Sequence, residues 1–348
     1  MNEAQTYIKR CLQLAELGLP QAMPNPSVGA VIVHNNVIIG EGYTSAYGGN
    51  HAEVNAINAV KDKTLLSKSI LYVSLEPCCH FGKTPPCTDL ILKYKIPQVI
   101  IGSVDSNKKV SGKGIKQLMQ EGVDVKVGFL EKECLELNKR FFNFHNKKRP
   151  YIVLKWAESY DGFIAPQNQM ALASYNISNE ISRQLAHKWR SEEQSILVGT
   201  NTVLKDNPKL DVRFWSGTNP VRIVLDKMLS IDNSYHVTNN LIKTIVFTQR
   251  LDSQPAKNIF YETVLFDDNL AQSICDVLIK HEIQSVLIEG GAKTLQLFID
   301  GNLWNEARIF KSDKLLFSGV KSPKIILQNF KKTCILDDTL ITVYNQKD

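Results

Sequence analysis

The sequence predicts an α/β fold in two domains, and three observations carry that prediction. Short Val- and Ile-rich runs alternate with segments of helical length from residue 28 onward, the pattern of sheets layered with helices. At 348 residues the chain is long enough for two domains, each with its own core. A charged run at 146–149 followed by Pro150 marks the boundary, giving a first domain over 1–146 and a second over 150–348.

Taken in order, MNEAQTYIKRCLQLAELGL places apolar residues at Ala4, Ile8, Cys11, Leu12, Ala15 and Leu19. That is the spacing of an amphipathic helix and not of a secretory signal, so a cytoplasmic protein is expected. The first domain then reads as strand VGAVIV, helix HAEVNAINAV, strand SILYVSL, helix TDLILKYK, strand QVIIGSV, helix IKQLMQEG, strand VDVKVG and one closing helix, LEKECLELNKRFF. The second opens with YIVLKWAESYDGFIA and continues through the helix ISNEISRQLAHKWR, SILVGTNTVL, the strands VRIVLD and KTIVFT, the helix SICDVLIKHEI and SVLIEGGAKTLQLFIDG. Its Val and Ile runs suit a sheet buried on both faces. The tail KIILQNFKKTCILDDTLITVYN reads as final antiparallel strands.

Composition excludes several classes. With 43% hydrophobic and 22% charged residues and no apolar run of membrane-spanning length, the chain reads as an ordinary globular protein with no membrane partner. Of seven cysteines, three cluster at Cys78, Cys79 and Cys87 while Cys11, Cys134, Cys275 and Cys334 are scattered; a reducing compartment with a local metal site fits better than a disulfide framework. A net charge of +6 suits an anionic small-molecule substrate and lacks the basic stripe of a nucleic-acid binder. The basic run KRFFNFHNKKRP at 139–150 reads as a helix end followed by a solvated linker.

His51 and Glu53 open the helix in GGNHAEVNAINAV, and the next strand, SILYVSL, ends in Glu76-Pro77-Cys78. A His-x-Glu followed by Pro-Cys after a later strand is the signature of zinc-dependent nucleobase deaminases. An imidazole and two thiolates fill three corners of a tetrahedral zinc site and leave the fourth to water, whose pKa falls to about 7. Glu53 is then available as the proton shuttle between water, ring nitrogen and departing amine. The second thiolate is displaced from its usual spacing, because position 81 is Phe81. Cys79 and Cys87 compete for the role. Adjacent residues point in different directions, which argues against Cys78 and Cys79 sharing one ion, whereas Cys87 opens a helix after Pro85 and Pro86. His51, Cys78 and Cys87 are therefore the predicted ligands and Cys79 a small packed residue. The alternative, a purely structural site closed by His80, gives Glu53 no role.

Four segments, PNPSVGAVIV at 24–33, HAEVNAI, EPCCHFGKTPPC at 76–87 and GSVDSNKKVSGKG at 102–114, closely resemble the deaminase half of the bifunctional bacterial riboflavin-biosynthesis family. In the second domain, K-x-x-x-S-x-D-G from Lys155 to Gly162, GTNTVLKDNPKLDVR at 199–213 and EGG at 289–291 resemble the reductase half of the same family. The resemblance implies a cytidine-deaminase-like three-layer α/β/α domain followed by a dihydrofolate-reductase-like α/β domain. It implies hydrolytic deamination of a diaminopyrimidinone ribosylamino 5′-phosphate, then reduction of its ribosyl chain. The implied cofactors are Zn²⁺ and NADPH, and the implied assembly is a dimer or tetramer.

Residue by residue, His51, Cys78 and Cys87 match the family's zinc ligands and Glu53 its proton shuttle, while Asn25, His80 and Lys83 match substrate positions. Asp105 and Asn107 fall in the same cleft, with Ser106 where the family usually has proline. In the second domain Ser174, Arg190, Leu210, Arg213 and Glu289 match substrate positions. Positions for NADPH match Glu158 through its backbone, Asn176, Thr202, Asp206 and the run Gly291, Ala292, Lys293, Thr294, Leu295, Gln296 and Leu297.

The chemistry of these residues is consistent with those roles. Lys83, looped out between two metal ligands, can set an ammonium against a ribose phosphate, or be a solvated loop lysine. The second domain lacks a G-x-G-x-x-G fingerprint, so a standard dinucleotide fold is not supported. Glu289-Gly290-Gly291-Ala292 can instead bring helix N–H groups to a phosphate, or form a structural turn. Arg190 and Arg213 can fork onto a phosphate or form surface ion pairs. Glu289 can hold ribose hydroxyls or steer a proton while NADPH delivers hydride, and Lys227, after VRIVLD, is a candidate for the cofactor's 2′-phosphate. Two other readings stay open from the residues alone: a zinc nucleoside or tRNA deaminase with an unrelated second domain, and a zinc-stabilised binding module without turnover.

Overall fold

The computed structural model describes residues 3–81, 85–105, 112–167, 175–251 and 255–346. Its backbone divides into two units, Met1–Lys148 and Arg149–Asp348.

The first unit runs α1 (Glu3–Gly18), β1 (Gly29–His34), β2 (Val37–Tyr43), α2 (Ala52–Ala59), β3 (Ile70–Leu75), α3 (Cys87–Lys93), β4 (Gln98–Ser103), α4 (Lys113–Gln120), β5 (Asp124–Val127), α5 (Glu131–Leu137) and α6 (Lys139–Lys147). Its sheet has the order β2-β1-β3-β4-β5. β1 is antiparallel to both neighbours, and β3, β4 and β5 are parallel. Alternation along β1 divides the core: Val31 and Val33 pack with Ile8, Cys11 and Leu14 of α1, while Ala30 and Ile32 pack with Ala52, Ala56 and Ile57 of α2 and Ile91 of α3. Helices on both faces make a three-layer α/β/α domain.

Two features depart from expectation. β2 was absent from the sequence pattern; it returns from β1 through Asn35 and Asn36, whose φ values of 48° and 62° suit a tight hairpin turn. The single closing helix is two, α5 and α6, divided at Asn138. That side chain is buried and exchanges two hydrogen bonds with the Ser27 backbone, both 2.9 Å. A tertiary contact thus overrides a continuous helical pattern.

The second unit runs β6 (Tyr151–Glu158), β7 (Phe163–Pro166), α7 (Glu180–Glu192), β8 (Ser195–Gly199), α8 (Thr200–Asp206), β9 (Val221–Leu225), β10 (Thr244–Thr248), β11 (Ile259–Thr263), α9 (Leu270–Lys280), β12 (Ser285–Ile288), α10 (Ala292–Asp300), β13 (Glu306–Lys311), β14 (Gly319–Lys321), β15 (Phe330–Ile335) and β16 (Asp338–Tyr344). The large sheet is ordered β11-β10-β9-β8-β12-β6-β13-β16-β15, and β7 pairs separately with β14. It is parallel from β11 through β13, then closes with the antiparallel β16 and β15. β12 again shows period-two burial: Val286 and Ile288 join the core formed with α9 and α10, while Leu287 faces Ala186 and Trp189 of α7. Arg149 does not lie in a solvated linker as expected; it is buried, and its guanidinium donates to Asn305 Oδ1 at 2.9 Å. Among the described residues no helix is long and apolar enough to cross a membrane.

Candidate metal centre and reductase site

His51 caps α2 without a side-chain capping bond, so its ring is free to turn toward the end of β3 and the start of α3. Its Nδ1 lies 3.4 Å from Cys78 Sγ and 3.4 Å from Cys87 Sγ, and the three ligand atoms fall within 4.8 Å of one another. Tetrahedral zinc with ordinary Zn–S and Zn–N bonds separates an N from an S ligand by about 3.6 Å. The residues present therefore fit zinc. Cys79 is outside this group; it is half-buried and not packed in the core as expected, because it follows Cys78 out of the strand end.

The electrostatics suit the same chemistry. The Cys87 thiol, the His51 ring and the Cys87 backbone N–H hold the Cys78 thiol well below the ordinary cysteine value, favouring its thiolate. The bond with Cys78 raises the His51 pKa. Glu53 sits in the first turn of α2, 3% exposed; burial first, then the Cys78 thiolate, push its carboxyl up to about 7. A carboxyl at that value both accepts and returns a proton near neutral pH.

Glu76 is a residue the sequence reading passed over. Its buried carboxylate accepts backbone N–H bonds from Asp105 (3.3 Å), Gly112 (3.0 Å), Gly114 (3.0 Å) and Ile115 (3.4 Å). It therefore ties the start of α4 to the strand end that carries Cys78. The available signal was a charge ending the apolar run ILYVSLE. Asn25 is half-buried and His80 exposed. Lys83, Ser106, Asn107 and Ser174 lie outside the described residues.

In the second unit, β12 ends in Glu289 and turns into α10 through Gly290 and Gly291. A Cβ on Gly290 would lie 2.5 Å from Val198 Cα of β8, and Gly291 adopts φ +51°; both positions need glycine. Glu289 takes a forked pair of bonds from Arg190, 2.8 Å from Nε and 2.7 Å from the terminal nitrogen, with Lys155 Nζ at 3.7 Å. Against the upward push of burial, Arg190 and Lys155 hold Glu289 down to about 2. Arg190 is thus neither a surface pair nor a free phosphate fork, because its fork is already on Glu289. Arg213 remains exposed beside Asp211. The role of Lys155 is not evident from the motif it opens; its signal is one lysine inside the buried strand YIVLKWA.

The other predicted positions divide by exposure. Thr202 Oγ1 would be 3.3 Å from a Cβ on Gly291, so α8 and the α10 start share one locality; Asp206 ends α8. Gly291, Ala292 and Lys293 form the accessible start of α10, and Thr294 is buried below them. Leu295 is fully buried in the core, Leu297 packs against that core, and Gln296 is spent on Asp300 and Lys324, since successive helical residues cannot share one face. Leu210 is buried too, leaving its backbone as its polar part. The Glu158 carbonyl accepts from Ser312 N–H, and its carboxylate from the Trp156 indole. Asn176 is exposed, its carbonyl bonded by Lys314. Lys227 is exposed.

Comparison with known proteins agrees with this division. Residues 1–103 match the cytidine and deoxycytidylate deaminase zinc-binding region, and residues 150–328 match the RibD C-terminal domain. The fold and the metal centre thus define a zinc-dependent deaminase joined to a reductase. The riboflavin biosynthesis protein RibD of Aquifex aeolicus is 38% identical over 320 residues, covering 91% of this chain and 88% of its own. That of Bacillus amyloliquefaciens is 37% identical over 348 residues, covering 97% and 92%. The crystal structure of a diaminohydroxyphosphoribosylaminopyrimidine deaminase/5-amino-6-(5-phosphoribosylamino)uracil reductase from Thermotoga maritima superposes with a TM-score of 0.88 at 35% identity, covering 99% of each chain. The chain belongs to the RibD family, the bifunctional deaminase and reductase of riboflavin biosynthesis.

Proposed function

We propose that the first unit deaminates a diaminopyrimidinone ribosylamino 5′-phosphate and that the second reduces the ribosyl chain of the product with NADPH. The observation that carries the reading is the His51, Cys78 and Cys87 cluster with Glu53 buried beside it. His51, Cys78 and Cys87 would hold zinc, which when bound would make a nucleophilic water available at neutral pH. Glu53, buried beside those ligands, would carry a proton from the attacking water to the ring nitrogen and then to the departing amine. Amine becomes carbonyl and ammonia leaves. Asn25, His80 and Lys83 hold the substrate, with the Lys83 ammonium on the ribose phosphate.

In the second unit the accessible start of α10 offers backbone N–H groups to the NADPH phosphates, with Thr202, Asp206, Asn176 and the Glu158 backbone completing the cofactor side. NADPH supplies the hydride. Glu289 holds the sugar hydroxyls, and Arg213, whose charge is exposed, meets the substrate phosphate with Ser174 and the Leu210 backbone. The chain acts in the cytoplasm, which seven free cysteines support. It assembles as a dimer or tetramer, for which the exposed Phe317, Ile326, Phe330 and Leu336 offer apolar surface.

The test is to incubate purified, zinc-loaded protein with the diaminopyrimidinone substrate and follow ammonia and NADPH. Ammonia release without NADPH, then NADPH oxidation when it is added, is the expected order. No ammonia from well-folded protein overturns the deaminase assignment, and ammonia without subsequent oxidation overturns the reductase assignment.

A further inference from the structure

His187 lies on α7, one turn before Arg190, and is 4% exposed. Its Nε2 is 3.5 Å from a terminal nitrogen of Arg190, which also donates to the Asp211 carbonyl at 3.2 Å. A guanidinium carries only donors, so Nε2 must present its lone pair and the ring proton belongs on Nδ1. That Nδ1 is buried with no hydrogen-bond partner among the described residues. The ring also meets Phe214 edge to face, centroids 4.8 Å apart, and Phe214 in turn lies 4.9 Å beneath the Arg213 guanidinium.

We propose that His187 is a positioning residue of the reductase site: as the neutral Nδ1–H tautomer it orients Arg190 through Nε2 and seats Phe214, keeping the Arg190–Glu289 pair and Arg213 in register. The inference rests on the reading of Glu289 and Arg213 as substrate-binding groups, with Arg190 holding Glu289 in place. The charges that face the ring are Arg190, Arg213, Glu289 and Asp211. Burial, then Arg190 and Arg213, push the His187 pKa down to about 4, so the imidazole is neutral where the enzyme works. A cation there would repel the arginine it is to orient. The Nδ1–H left over is a buried donor for a water or a substrate oxygen.

Two substitutions separate acceptor from filler. His187→Gln keeps an acceptor near the Nε2 position, whereas His187→Leu keeps bulk and loses it. For His187→Leu we expect about a tenfold fall in reductase kcat/KM, carried mainly by KM, with ammonia release unchanged. For His187→Gln we expect recovery of most of the loss. Ring-nitrogen NMR on isotope-labelled wild-type protein should show a neutral Nδ1–H histidine through pH 6.5, the ordinary histidine value. Equal losses in the two variants, an unchanged His187→Leu enzyme, or an imidazolium or Nε2–H signal would each overturn the inference. Should His187→Leu fail to fold, the wild-type spectrum decides. Wild-type protein that folds but never oxidises NADPH would refute the reductase reading and take the inference with it.

Discussion

Glu53 is buried and the Glu289 side chain is largely covered, and their surroundings drive the two carboxyls in opposite directions. Glu53 has a thiolate beside it and rises to about 7; Glu289 has two cations and falls to about 2. Only the first can trade protons near neutrality. Glu53→Gln should therefore lower ammonia release by roughly 10²–10⁴-fold, with zinc retained and reduction of deaminated substrate unchanged, as metal analysis and the two assays would show. Glu289 and His187 instead govern acid stability. The ordinary values are 4.5 and 6.5, and both groups lie below them in the fold, at about 2 and about 4. In each case the unfolded chain binds the proton first, so stability rises with pH across the window. The second unit should lose stability as pH falls from 6.5 to 4 through His187, and from 4.5 toward 2 through Glu289. Denaturant titrations at stepped pH check this: His187→Gln should flatten the upper limb and Glu289→Gln the lower one.

Among elements, α4 depends on a residue outside it. It begins after Gly112 with no capping side chain of its own, and Glu76 supplies the acceptors from the end of β3. Glu76→Ala leaves those N–H groups unanswered in a buried place, at a cost of about 1–3 kcal/mol. A fall of several degrees in the melting temperature of the first unit is expected by calorimetry. No local pattern announces such a cap, because donor and acceptor are 36 to 39 residues apart. Strands such as VGAVIV and SILYVSL were legible because apolar runs bounded by turn residues mark buried strands. β2, VIIGEGY, was not, since its two glycines and glutamate break the pattern; a Cβ on Gly42 would meet the Ala56 backbone nitrogen at 2.4 Å. β13 hid for a related reason. Glu306 and Arg308 look like surface charges, yet both are buried and bonded to each other.

At the scale of the whole molecule, two chemistries occupy two units with separate cores. Removing zinc with a chelator should abolish ammonia release and leave NADPH oxidation with deaminated substrate intact; parallel loss of both activities would contradict this separation. The sequence alone determined the α/β class, most helices and strands, and the metal centre. Those depend on periodicity and on residue types whose chemistry has few substitutes: a histidine, two cysteines and a glutamate at element ends. Only the tertiary structure decided that Asn138 breaks a helix, that Glu76 caps one, and that Arg190 is committed to Glu289. Each is a polar bond between residues far apart in sequence. Such bonds form because a buried polar group must find a partner wherever the fold brings one, and local sequence carries no record of which partner that is.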